Sequence, residues 1–298
     1  MRIELKKINK EFEVFNFFKK EKKIVLEDIN LTLEDGDILG LIGKNGAGKT
    51  TLLKIITGLI EPSAGEIIFD KKNAPLFGYA NSNSRSFFWR ISTRENLIFF
   101  SRMLGLNNFE IKKSIENVSD ILEINHILDK PFMHLSSGQM QSVNIARSLL
   151  KKPDILLLDE PTTSLDYESS INIMNKLSKF LKHHKIPAIW CSHNYFELNR
   201  VCNRFALLKD KRFINGEKKI FDFHQRAINY EFEVKQEDLE KITSKHKISL
   251  RKNDGKKCYF SLENSDLYLN DVLKNFYDSD VHVLSIEKNF KLFKDYLS

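Results

Sequence analysis

An α/β fold is predicted for this chain: a parallel-sheet core preceded by antiparallel strands, interrupted by a helical stretch over about residues 85–150, and followed by a small α+β domain. Three observations predict it. A strand-sized apolar run, Ile38-Leu39-Gly40-Leu41-Ile42, leads through a glycine-rich loop into a segment of helical spacing. A second apolar run, Ile155-Leu156-Leu157-Leu158, ends on the carboxylates Asp159-Glu160. Beyond about residue 225 the rhythm changes to short strands and helices in the order β-α-β-β-α-β, the ferredoxin-like split unit.

The elements follow in order. Residues 2–8 and 24–33 alternate in polarity and read as strands, while residues 12–23 mix aromatics with lysines and read as an extended loop or hairpin tip. Gly36-Asp37 turns the chain into the buried strand at 38–42, and Thr51-Leu52-Leu53-Lys54-Ile55-Ile56 has helical spacing that ends at Gly58. Residues 66–70 return as a strand after the turn Glu61-Pro62-Ser63-Ala64-Gly65. Residues 94–150 are mostly helical, with breaks near Gly105 and Lys130-Pro131. A helix is expected over 167–184, a strand over 188–192, and a hairpin at 205–208 and 212–214. In the last domain, 226–298, strands are expected at 230–234, 247–251, 257–262 and 281–286. Helices are expected there at 236–245, 267–278 and 289–297, with a turn at Asp254-Gly255.

Composition bounds the function. With 298 residues, 42% hydrophobic and 29% charged, the chain suits one large and one smaller globular domain. Cys191, Cys202 and Cys258 have neither metal-ligand spacing nor a secreted framework and read as reduced thiols. The N-terminal residues lack a signal-peptide apolar region, and no run is long enough to span a membrane. A net charge of +7 admits acidic lipid or nucleic acid as a partner, but Lys and Glu are interspersed, which favours an ordinary solvated surface.

The chemistry lies in Gly43-Lys44-Asn45-Gly46-Ala47-Gly48-Lys49-Thr50, which fits the P-loop pattern G-x-x-x-x-G-K-[ST] between a strand and a helix. The pattern makes the core a P-loop nucleoside triphosphatase. Gly46 and Gly48 lack Cβ atoms, so successive N–H groups can curl around a β-phosphate at the positive end of the helix. Lys49 is expected to reach the β- and γ-phosphates, and the Thr50 hydroxyl to ligate Mg²⁺. Asp159, at the carboxyl end of a strand, is placed to hold Mg²⁺ directly or through water, and Glu160 to polarise the attacking water. Gly43, Asn45, Gly46, Ala47, Gly48, Lys49, Thr50 and Thr51 are the expected nucleotide contacts. Leu135-Ser136-Ser137-Gly138-Gln139 reads both as a helix N-cap and as an anion site.

In order along residues 1 to about 225, these elements resemble the nucleotide-binding subunit of an ATP-binding cassette (ABC) transporter. Leu135–Gln139 resembles the family's signature sequence, Ser164-Leu165-Asp166 its D-loop, and Ser192-His193 its switch histidine. The resemblance implies ATP and Mg²⁺ as cofactors and a head-to-tail pair of cassettes, read here as a homodimer. ATP would lie between one chain's P-loop and the other's Ser136, Ser137, Gly138 and Gln139, with Asp166 at the same interface. His193 would contact the γ-phosphate and keep Glu160 and the water aligned. An aromatic should stack on adenine; Phe12 is the candidate, though Phe15, Phe17 and Phe18 lie close by and packing against the sheet is an equal alternative.

Two stretches depart from the family pattern or refine it. Most members carry a glutamine a few residues after Gly78-Tyr79; here the stretch is Ala80-Asn81-Ser82-Asn83-Ser84, with Ser82 at the expected metal-sensing position and Asn83 as a substitute amide. Ser142 stands where many members have a basic residue. Arg85-Ser86-Phe87-Phe88-Trp89-Arg90 and Arg94-Glu95-Asn96-Leu97 resemble a branch that exports drugs, lipids or polysaccharides. Those aromatics either line a groove for a membrane subunit or form the core of the helical part. The resemblance thus implies an ATP-hydrolysing exporter subunit, cytoplasmic and peripheral on the inner face of the membrane through separate permease subunits. The alternatives are a soluble ATPase acting on nucleic acid or the ribosome, and a regulatory module without hydrolysis. One cassette without heptad repeats weakens the former, so no nucleic-acid partner is expected; Glu160 and His193 weaken the latter.

Overall fold

The computed structural model describes residues 1–16, 19–71, 74–81, 86–163, 165–192, 194–219, 228–241, 248–253, 257–263, 272–274 and 276–290. The chain divides into two compact units, Met1–Glu217 and Lys218–Ser298, a division eight residues before the expected one at 225 (225 − 217).

The first unit begins with an antiparallel sheet of order β2-β1-β4, made of β1 (Ile3–Asn16), β2 (Lys19–Leu33) and β4 (Ala64–Phe69). Of the two readings of 12–23, extended loop or hairpin tip, the structure has the hairpin, its strands paired from Phe12 with Lys23 to Asn16 with Lys19. Cross-strand ion pairs Lys20–Glu13 at 2.5 Å and Lys22–Glu11 at 2.6 Å line one side of this extension. Opposite charges on neighbouring strands support pairing where no core does.

The second sheet has the order β5-β6-β7-β3-β8-β9. Its strands are β3 (Ile38–Ile42), β5 (Phe77–Asn81), β6 (Ile155–Asp159), β7 (Ala188–Cys191), β8 (Arg204–Lys209) and β9 (Arg212–Lys219). The pairs from β5 through β8 are parallel. Every residue of β3, β6 and β7 is buried, which is why they read as unbroken apolar runs. Leu156, Leu157 and Leu158 are fully buried, and each contributes about 2 kcal/mol. Leu39, Leu41, Ile155 and Leu157 join α1 (Lys49–Ile56) and the buried face of the first sheet, Ile3, Leu5 and Leu26 among it, in one core.

The helical stretch holds α2 (Thr93–Met103), α3 (Asn108–Leu122) and α4 (Ser137–Leu149). Each opens on a capping box: Ser92 with Glu95, Asn107 with Glu110, and Ser136 with Gln139. A cap of this kind is worth about 1 kcal/mol. The helix expected at 167–184 is α5 (Tyr167–His184), and α6 (Tyr195–Val201) was not expected.

The second unit contains β10 (Ile228–Lys235), β11 (Ile248–Asn253), β12 (Lys257–Glu263) and β13 (Val283–Phe290) in the order β11-β12-β10-β13, all pairs antiparallel. That is the strand order of the split βαββαβ unit. The described part of its first helix, Gln236–Lys241, is 3-10 in form, and residues 272–274 and 276–278 are helical. The helix expected from 289 is corrected at its start, because β13 runs through Phe290; the rest of that expectation, and Asp254-Gly255, lie outside the described residues. All three cysteines are buried thiols: Cys191 and Cys202 in the first unit, Cys258 in the second. Among the described residues no helix is long and apolar enough to cross a membrane.

Candidate functional site

Parallel strands bring their carboxyl ends to one edge, and three chain segments converge there. β3 runs into Gly43 and the loop to Gly48, after which α1 begins at Lys49. Gly46 and Gly48 both hold positive φ, +82° and +110°, a backbone only glycine adopts without strain. Gly48 is also crowded: a Cβ there would lie 2.9 Å from Leu26 Cδ2 and 3.1 Å from the Val25 carbonyl oxygen. β2 therefore presses directly on the phosphate loop.

Lys49, at 6% exposure, donates from Nζ to the carbonyl oxygens of Gly43 at 2.6 Å and Lys44 at 3.3 Å. Its ammonium lies 3.5 Å from Glu160 Oε1. The Thr50 hydroxyl donates to Asp159 Oδ2 at 2.6 Å. Two oxygen donors this close, one of them a buried carboxylate, suit a hard divalent cation such as Mg²⁺. Asp159 is in register with Asn81 on one side and Cys191 on the other. Burial pushes the nearby Tyr79 hydroxyl up to about 12, helped by the Asp159 carboxylate, so it stays neutral beside the charged group. Burial and the same carboxylate push the Cys191 thiol well up.

Glu160 follows the strand on a left-handed backbone, φ 53°, its N–H donating to the Cys191 carbonyl at 3.0 Å. Thr163 Oγ1 donates to its Oε2 at 3.1 Å. A non-glycine residue at positive φ is a strained position held by its surroundings. The site thus joins Lys49, Thr50, Asp159 and Glu160, a cation, a hydroxyl and two carboxylates arranged to take a metal-bound polyphosphate and to polarise a water beside it.

The remaining expected residues fall as follows. Ser136 caps α4, its Oγ accepting from the Gln139 N–H at 3.2 Å while the Gln139 side chain accepts from the Ser136 N–H at 3.1 Å. Gly138 faces Leu165, whose Cδ2 would lie 3.2 Å from a Cβ there, so the first turn of α4 packs on the loop before α5. Asp166 caps α5 through the Ser169 N–H at 2.9 Å and hydroxyl at 2.7 Å, hydrogen bonds that hold its carboxyl below its ordinary value. Ser142 donates to the Gly138 carbonyl at 3.1 Å. Phe12 is exposed, with Lys10 Nζ 4.9 Å from its ring centroid, and Lys10 pairs with Leu26, the residue packed on Gly48. His193, Ser82, Asn83, Ser84, Ser164, Phe17 and Phe18 lie outside the described residues.

The aromatic run divides between its two readings. Phe87 is buried, stacked on Phe132 at 4.5 Å and covered by the Arg147 guanidinium at 5.0 Å. Phe88 and Trp89 are about half exposed, alongside exposed Phe99, Met103 and Met133. Residues that the motif reading missed include Tyr79, Asn144, whose amide donates to the Asn81 carbonyl, and Glu197. Asn194-x-x-Glu197, a capping spacing just after a strand, is the signal that would have marked the last.

Comparison with known proteins gives these elements relatives. The sequence profile described as ABC transporter matches residues 26–163. The chain is 37% identical over 201 residues to the ABC transporter ATP-binding protein NatA of Bacillus subtilis, across 64% of this chain and 81% of that protein. It is 31% identical over 216 residues to the glucose import ATP-binding protein GlcV of Saccharolobus solfataricus, across 69% of this chain but only 61% of that protein. A dimeric bacterial ABC transporter cassette superposes on 73% of this chain and 98% of its own, with a TM-score of 0.65 and 25% identity.

Proposed function

The chain belongs to the ABC transporter ATP-binding family and is an ATPase that uses ATP with Mg²⁺; from that premise we propose that it powers a membrane transporter as a homodimer of cassettes on separate membrane-spanning subunits. The observation that carries the proposal is the convergence of Lys49, Thr50, Asp159 and Glu160 at the carboxyl edge of the parallel sheet.

Lys49 exchanges the loop carbonyls for β- and γ-phosphate oxygens, at a helix start that favours negative charge. Thr50 and Asp159 hold Mg²⁺, which when bound neutralises charge on the phosphates. Glu160 orients and polarises the attacking water, and His193 contacts the γ-phosphate. Ser136, Ser137, Gly138 and Gln139 of one copy close over the nucleotide of the other, Asp166 lies at that interface, and Phe12 stacks on adenine. Ser82 is assigned the metal-sensing role.

The exposed aromatics Phe88, Trp89 and Phe99, with Met103 and Met133, form the docking face for a membrane subunit. The protein then works at the cytoplasmic face of the membrane. The resemblance around residues 85–97 supports export. Import is the second reading, favoured by the name of the glucose import relative. Uptake against efflux in inverted vesicles carrying the complex separates the two.

Glu160→Gln should cut hydrolysis by about 10²- to 10⁴-fold and accumulate an ATP-bound dimer, measured by phosphate release and light scattering. Ordinary turnover by that variant overturns the assignment of the general base. Co-purification of a polytopic membrane protein supports the transporter; co-purification of ribosomes refutes it.

A further inference from the structure

One buried carboxylate joins the loops that carry the residues assigned to the attacking water, Glu160, and to the γ-phosphate, His193. Glu197 lies in the first turn of α6 at 7% exposure. Its Oε2 accepts from Thr162 Oγ1 at 2.5 Å and from Ser192 Oγ at 3.0 Å. Its Oε1 accepts from Asn194 Nδ2 at 3.3 Å, and the Asn194 N–H in turn donates to Ser192 Oγ at 3.0 Å. Thr162 stands two residues after Glu160, while Ser192 and Asn194 flank His193.

A plain helix cap would explain Asn194 and Glu197 alone. It would not turn one carboxylate oxygen inward onto two hydroxyls from separate segments. The Thr162 and Ser192 hydroxyls and the Asn194 amide all donate to this one carboxylate. An ionised carboxylate taken out of water costs several kcal/mol unless hydrogen bonds repay it. Hydrogen bonds to a charged acceptor are the strong kind, and a satisfied buried network is rigid.

We propose that Glu197 is a positioning residue that locks the Glu160 loop to the His193 loop, so that water and γ-phosphate are aligned by one shared anchor. The proposal rests on the reading of Glu160 and His193 given above. Because Leu165, whose N–H donates to the Thr162 carbonyl at 3.0 Å, belongs to the same loop, movement of the D-loop in the cassette dimer reaches His193 through this carboxylate. Glu197 acts through Glu160 and His193, so its effect is on turnover.

The test compares Glu197→Ala, Glu197→Gln and Thr162→Val in the full chain, measuring kcat, the KM for MgATP, ATP-dependent dimerisation and melting temperature. Glu197→Ala should lose about 100-fold in kcat, the scale of a small misplacement of reacting groups, with KM and dimerisation within about 3-fold. Glu197→Gln keeps an oxygen for Thr162 and Ser192 and should recover about 10-fold of that loss. Thr162→Val, near-isosteric, should lower kcat while leaving the Ser192 bond in place, and combined with Glu197→Ala should add little. Unchanged kcat in Glu197→Ala overturns the proposal, as does a joint loss of kcat, dimerisation and melting temperature that glutamine fails to rescue. Glu160→Gln in the same assay keeps the two readings apart. If it is inactive while Glu197→Ala is fully active, only the role of Glu197 falls; if it turns over normally, the assignment of Glu160 falls first.

Discussion

Gly48→Ala tests the packing of the first sheet against the phosphate loop. Gly48 sits at φ +110°, beyond the left-handed helical basin, so a side chain there costs about 2 kcal/mol in backbone strain alone. The added Cβ would also press on Leu26 Cδ2 at 2.9 Å, the Val25 carbonyl at 3.1 Å and Val25 Cγ1 at 3.2 Å. Leu26 is fully buried and cannot swing aside, so overpacking adds about 1–3 kcal/mol. A total of at least about 3 kcal/mol corresponds to no less than about 6–12 °C in melting temperature for a domain of this size. If the loop moves instead of the sheet, the same energy appears as about a 100-fold weaker ATP affinity. Gly46→Ala is the control: φ is +82° but a Cβ would meet nothing within 4 Å, leaving strain alone. Differential scanning calorimetry and nucleotide titration of both variants decide the matter. If Gly48→Ala melts and binds like Gly46→Ala, β2 does not support the loop as argued.

Two further predictions concern other parts of the molecule. The hydrogen bond from Lys241 holds the Asp238 carboxyl down to about 2, with the His282 N–H as the next cause. Because the folded value is depressed, its contribution is complete above the unfolded value near ~4 and is lost as pH falls from there through ~2. Asp238→Asn should therefore flatten the acid limb of unfolding of the second unit in that window, followed by circular dichroism; an identical acid limb refutes it. Trp190→Phe leaves exposed Trp89 as the one indole of the chain's two, and its emission should shift to the blue when membrane subunits bind. Complex formation without that shift would place docking elsewhere.

The phosphate site was legible in the sequence because its chemistry is local: strand, glycine loop and helix are contiguous, and Asp159-Glu160 ends a strand-sized apolar run. The start of α4 was legible through Ser136, which reads as an N-cap, and α5 and the β8–β9 turn lie where the sequence places them. The end of α3 was less so, since Glu123 takes positive φ where glycine would have announced the turn. At the β1–β2 hairpin the sequence left loop and hairpin tip open, because the pairing depends on charges facing across strands, which a single strand does not display. Strand β5 was missed for a different reason. Gly78 is there because a Cβ would lie 2.4 Å from the Ser148 carbonyl at the end of α4, and such a close approach is set by tertiary contact. Glu197 belongs to this last class: its partners come from two segments about thirty residues apart, and only the fold assembles them.

The three buried thiols turn the native chain into a pair of clocks. Cys191 and Cys202, whose thiols burial holds high, cannot form thiolates or meet a reagent until the first unit opens, and Cys258, its Sγ 2.9 Å from Gln236 Oε1, waits on the second. Labelling rates by mass spectrometry therefore time the opening of each unit separately, in one tube and without mutation. Because Cys191 lies in register with Asp159, nucleotide should slow the first clock and leave the second running.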